Sequence, residues 1–180
     1  IGARSIQRHL SSVKGFFKYL QKNHLINQSP FELISGPKTE KKLPESLTPE
    51  QINRLLDFKP SSLIEIRDLA IIELMYSSGL RVSETVNVDI QDFEENKDFL
   101  RVIGKGSKTR LVPLGRFAIS AINNWLEERK KITSDDGALF INKAGGRLTT
   151  RSVQLRLKKL AVKQGLPPIN PHMLRHSFAT

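Results

Sequence analysis

The chain is predicted to be mainly α with a small antiparallel β-hairpin, an α+β fold. Three observations predict it. In most segments between turn signals, apolar residues recur at three- and four-residue steps, as amphipathic helices require. Strand-like composition gathers in "DFLRVIGKGSKTRLVPLG", where two β-rich runs flank a Gly-rich turn. Helices and strands do not alternate along the chain, so a βαβ arrangement around a parallel sheet is not expected.

The elements follow in order. Residues 4–24 read as a helix, with Ile6, Leu10, Val13, Phe16, Phe17 and Leu20 on an apolar stripe flanked by Arg4, Arg8, Lys14, Lys18 and Lys22. The stripe is expected to pack as core. Ser29 with Pro30 behind it predicts the start of a short helix. Residues 36–46, with Gly36, two prolines and many charges, read as an interdomain linker. The 35 residues before the linker are too few for a domain and read as the tail of a larger helical one.

The second domain, residues 47–180, opens at "TPEQ": Thr48 caps, Pro49 is the first helical residue and Gln51 completes a capping box. An apolar helix is predicted over 63–77 and breaks at Gly79, with a new turn near Ser83. The hairpin follows, its turn at Gly104–Ser107. Residues 116–130 read as a helix with Phe117, Ile122, Trp125 and Leu126 on its inner side, and "ALFINKAGGR" as a short strand and turn. Thr149 or Thr150 caps a helix that runs to Gly165, "LPPINP" is an extended connector, and Pro171 opens the last helix.

Composition narrows the function classes. There is no Cys, which excludes disulfides, thiolate metal sites and a Cys nucleophile. No apolar run approaches the roughly 18 residues of a membrane span. The first residues are too polar for a signal peptide and the chain does not begin with Met, so both ends read as cut, and a cytoplasmic location is expected. Lys and Arg number 29 against 18 for Asp and Glu, a net charge of +11 spread along the chain. Such an excess fits either a basic surface or a polyanion binder, nucleic acid foremost.

Three basic positions stand out from a solvated surface. Arg81 follows a Gly-Leu pair at a helix break, Lys105 sits between two glycines at the hairpin tip, and Arg175 lies three residues after His172 on one helical face. A partly buried guanidinium needs an anion to offset its desolvation. Two arginines, a lysine and a histidine suit a phosphate: the planar fork of Arg matches two phosphate oxygens, and Lys or His can protonate a leaving oxygen. Taken singly, each has an ordinary structural explanation. Arg81 can pair with Glu84, Lys105 can be a turn lysine, His172 can serve helix or core, and Arg175 can pair with an acid elsewhere. Only their combination points to a phosphate site.

That combination resembles the tyrosine recombinase (phage-integrase-type) family, and within it the bacterial Xer recombinases. The resemblance is carried in order by "SSGLRVSET" at 77–85, "VIGKGSKTRLVPLG" at 102–115 and "PHMLRHSFAT" at 171–180, and it extends over essentially the whole chain. "ALFINKAGGRLTTRSVQ" and "KQGL" lean toward the XerC branch. The resemblance implies that residues 1–35 end a helical, SAM-like core-binding domain and that 47–180 is the catalytic domain. It implies that Arg81 and Arg175 clamp the scissile phosphate, Lys105 is the general acid toward the leaving 5′-oxygen, and His172 assists proton transfer. Glu84 then orients Arg81, and His176 is a supporting residue. It further implies double-stranded DNA as substrate, a paired recombinase in a tetramer, chromosome dimer resolution as the task, and neither metal nor cofactor.

The family also needs a tyrosine nucleophile. Only Tyr19 and Tyr76 are present, neither in a matching position, and both read as packing residues. The 180-residue chain is therefore expected not to form the covalent intermediate by itself. Competing readings are a phage or transposon integrase with the same chemistry, a non-catalytic DNA-binding module, and a basic protein with no nucleic-acid role.

Overall fold

A computed structural model describes residues 2–38, 46–93, 98–104, 106, 108–134 and 137–178. The chain divides into two compact units, Ile1–Leu43 and Pro44–Thr180.

In the first unit the predicted helix forms as α1, Ala3–Lys22, and ends before His24, which adopts a left-handed φ of 56°. The expected core packing does not follow: no residue of α1 is buried, and Ile6, Phe16 and Tyr19 are exposed. The described residues of this unit hold one helix and a turn, too little to cover the stripe. Phe17 meets Phe16 edge to face and Phe31 at a tilt, with ring centroids 5.7 and 5.0 Å away. The short helix expected at Ser29 is only a turn. The Ser29 hydroxyl accepts from the Phe31 amide, as a cap would, but the Glu32 and Ile34 amides bond three residues back and the helix does not propagate.

The second unit opens as the sequence predicts. In α2, Pro49–Leu56, the Thr48 hydroxyl accepts from the Gln51 amide and the Gln51 side chain accepts from the Thr48 amide. Helix α3, Leu63–Ser78, starts at a Ser62 cap and stops at Gly79, whose φ of 60° suits glycine. A five-residue helix α4, Val82–Val86, follows directly. Strands β1, Phe99–Ile103, and β2, Thr109–Pro113, pair antiparallel with Leu100 opposite Val112 and Val102 opposite Arg110. Helices α5, Arg116–Arg129, α6, Thr150–Lys163, and α7, Pro171–Phe178, complete the unit.

Two hydrophobic clusters form the core, and α3 serves both. Ile71, Leu74 and Met75 join Leu100, Val102, Ile122, Trp125 and Phe140 in one. Ile72 joins Leu55, Leu157, Leu160 and Leu174 in the other. A helix apolar on all sides is expected at such a central place. Its two buried charges are compensated. Asp68 accepts from Arg67 and from Arg156 of α6, while Arg67 also donates to the Ile141 carbonyl.

Two details differ from expectation. Phe117 is 65% exposed, because it sits in the first turn of α5 with Ala118, Ile122 and Trp125 taking the inner face. Residues 138–147 form no regular strand. They make isolated bridges, Asp89 with Ala138 and Ile141 with Arg147, around a turn held by the Asn142 side chain.

Candidate active site

The break between α3 and α4 places Arg81. Helix α3 must end at Gly79, and Leu80, fully buried, fixes the chain at the next step. Arg81 then precedes α4 with extended backbone (φ −71°, ψ 148°). The first turn of α4 carries Glu84 back over it. Glu84 Oε2 accepts from the Arg81 amide at 2.8 Å, and Oε1 from Arg81 Nη1 at 3.1 Å. The carboxylate is 6% exposed, whereas the Arg81 side chain is half exposed. Arg81 therefore rests one nitrogen on a buried anchor and presents the rest of its guanidinium outward.

Arg175 reaches the same carboxylate from α7. Pro171 starts this helix, and the Asn170 side chain accepts from the His172 and Met173 amides, satisfying the open first turn. Leu174, buried in the second cluster, fixes the rotation of α7. Arg175 Nη1 donates to the Gly79 carbonyl at 2.7 Å and lies 3.9 Å from Glu84 Oε2. His172 and His176 are exposed on the same helix. Residues far apart in sequence, Arg81 and Arg175, thus converge on Glu84.

A third arginine, which sequence reasoning missed, completes the cluster. Arg110 of β2 grips Glu84 with both terminal nitrogens, Nη1 to Oε1 at 3.2 Å and Nη2 to Oε2 at 3.0 Å. Its signal lies in the strand alternation. Arg110 shares a face with buried Val112 and, though its side chain is 40% exposed, its guanidinium reaches the buried Glu84 carboxylate. Gly104 leaves it room: a Cβ there would stand 2.7 Å from Arg110 Nη1.

Burial would raise the Glu84 carboxyl. Hydrogen bonds from Arg110 and from the Arg81 amide, with the Arg110 charge and the Arg81 side chain, outweigh it and hold the group below the usual carboxylate range. Glu84 is therefore a fixed anion at neutral pH. Three guanidiniums against one carboxylate leave two positive charges on a partly open surface, matched to an anion such as a phosphodiester.

Lys105 lies outside the described residues. The hairpin that carries it is described up to Gly104, whose amide donates to the Lys108 carbonyl at 2.9 Å. Of the two tyrosines, Tyr76 packs beside the second cluster and Tyr19 is exposed on α1, so the expectation of packing fits Tyr76 and not Tyr19. Among the described residues, no helix is long and apolar enough to cross a membrane.

Residues 45–180 match the family described as the phage integrase family. Over its whole length the chain is 44% identical to the tyrosine recombinase XerC of Shewanella amazonensis and 42% identical to that of Haemophilus ducreyi, covering 61% and 60% of those proteins. It thus spans about three-fifths of the length of the curated relatives it matches. Among solved structures, the XerH site-specific recombinase bound to palindromic difH substrate in a post-cleavage complex is similar, with a TM-score of 0.75 at 29% identity over 93% of this chain and 52% of that one. The Tn1549 transposon integrase in complex with a circular intermediate DNA shares the fold, with a TM-score of 0.81 at 20% identity over 99% of this chain and 66% of that one.

Proposed function

Because the chain belongs to the phage integrase family, with XerC tyrosine recombinases similar over its whole length, we propose that its protein is an Xer-type site-specific recombinase that cuts and rejoins double-stranded DNA. The observation that carries this reading is the convergence of Arg81 and Arg175 on one buried carboxylate, with guanidinium surface left facing outward. The two arginines bind the non-bridging oxygens of the scissile phosphate. They oppose the charge that builds as a tyrosine oxygen forms its bond to phosphorus and the bond to the 5′-oxygen breaks. Lys105, on the hairpin, gives its proton to that leaving 5′-oxygen, and His172 assists proton transfer at the same phosphate. The strand is held as a 3′-phosphotyrosyl ester, so the energy of the broken bond is retained for rejoining. Glu84 holds the arginines and does not react; His176 supports the helix that bears Arg175. We assign the nucleophile to neither Tyr19 nor Tyr76.

Residues 1–35 are read as the end of a helical core-binding domain, 36–46 as a linker and 47–180 as the catalytic domain. The substrate lies in the cytoplasm, where the protein pairs with a second recombinase in a tetramer to resolve chromosome dimers. Whole-length identity with XerC supports this task over mobile-element integration, for which the likeness is one of fold.

The test uses the full-length protein and a nicked suicide duplex carrying its recombination site. Arg175→Ala and Lys105→Ala are each expected to leave duplex binding within a few-fold of wild type and to abolish the covalent adduct. Variants that merely weaken binding, with adduct formed in proportion to occupancy, would show a DNA-binding module instead.

A further inference from the structure

We infer that Arg110 is a positioning residue of the phosphate site, holding Glu84 by both oxygens so that Arg81 and Arg175 are left free to face the substrate. This rests on the reading of the site given above. The observation is the division of labour around one carboxylate. Arg110 makes the two-point fork, whereas Arg81 reaches Glu84 with a single side-chain nitrogen and Arg175 only approaches it. A fork is the geometry that fixes the plane of a carboxylate. Were Arg110 absent, the two oxygens of a nearly buried anion would lack half their donors, and the nearest replacement is the guanidinium of Arg81. Drawn into the fork, Arg81 would turn its free nitrogens inward.

The position of Arg110 supports a role through Glu84. It hangs from a rigid element, opposite buried Val102 in the hairpin register and on the same face as buried Val112. Gly104 lies beside its guanidinium, and a Cβ there would press on Arg110 Nη1 at 2.7 Å while lying 3.7 Å from Glu84 Oε1. The hairpin is thereby coupled to the α4 turn through the Arg110–Glu84 pair.

The test compares Arg110→Gln, Arg110→Lys, Glu84→Gln and the double variant Glu84→Gln/Arg110→Gln in the full-length protein. It measures single-turnover cleavage on saturating DNA and duplex affinity across a salt series. Arg110→Gln is expected to slow cleavage about 10- to 100-fold, the scale of a misplaced catalytic group. Its affinity and salt slope should stay as in wild type, because a lost phosphate contact would instead lower the slope by about 0.9. Arg110→Lys, which keeps the charge but not the fork, should recover part of the rate. The double variant should be no slower than Glu84→Gln alone, as expected for residues acting through one another. Should Arg110→Gln fail to fold, Arg110→Lys decides the matter by showing slowed cleavage at unchanged salt slope. A wild-type rate in Arg110→Gln, a reduced salt slope, or additive losses in the double variant would each overturn the inference. Arg175→Ala serves as the control: if it cleaves like wild type, the reading of the site and this inference both fall.

Discussion

The Gly79 carbonyl accepts a hydrogen bond from Arg175 Nη1 at 2.7 Å, joining the residue that ends α3 to α7. The same glycine has a φ of 60°, and a Cβ on it would stand 2.5 Å from the ring of Phe178. One residue thus ends α3, receives α7 and anchors half of the arginine pair.

Replacing it tests that arrangement. Gly79→Ala should destabilise the protein by about 1–2 kcal/mol through the left-handed backbone alone, with a further loss as the Phe178 ring is displaced. Cleavage should fall more than duplex binding, since relaxing the left-handed backbone at this position shifts the carbonyl that anchors Arg175. Urea denaturation and single-turnover cleavage in the full-length protein read the two effects separately; an unchanged unfolding midpoint would contradict the argument.

The buried charges of α3 make a second prediction. Asp68 is 2% exposed and compensates both Arg67 and Arg156. Asp68→Ala leaves Arg67 charged inside the core, and breaking such a pair from one side typically costs about 3–5 kcal/mol. Arg156→Ala removes the more exposed partner and should cost less. Chemical denaturation of the two variants should rank them in that order.

The pair between α3 and α6 predicts a pH dependence. Glu65 accepts from Lys163 Nζ at 2.5 Å and from Ser61, and together these lower its carboxyl from 4.5 to about 2. A depressed folded-state pKa contributes stability above the unfolded value, and that contribution is lost as pH falls through the folded value. The Glu65 share is therefore complete above about 4.5 and disappears toward 2. Glu65→Gln should be less stable than wild type at pH 6 and close to it at pH 2, by thermal melts across that range.

Much of this was legible in the chain, for local physical reasons. Thr48, Pro49 and Gln51 lie within one turn and report their own capping box, and Gly79 reports its own left-handed break. The hairpin was readable because its strands are adjacent. Other features depend on packing that sequence periodicity does not carry. Phe117 fits an apolar stripe but sits where α5 begins, and the stripe of α1 is amphipathic yet uncovered in its unit. Ser29 has a cap's chemistry, but no helix follows it. At the site, Arg81, Arg175 and Glu84 were singled out by their motifs, and the structure brings them together. Arg110 was lost among neighbouring basic residues, because its meaning comes from the strand face it shares with Val112 and from an acid 26 residues away.

The double role of α3 has a consequence for how this unit opens. Ile71, Leu74 and Met75 face one cluster while Ile72 faces the other, so neither cluster can come apart without exposing the same helix. Amide hydrogens near the middle of α3 should therefore exchange with solvent only when the whole unit unfolds, and be its slowest. The short α4, which bears Glu84, hangs from the end of that helix. Its amides should exchange earlier, while the helix beneath it stays closed.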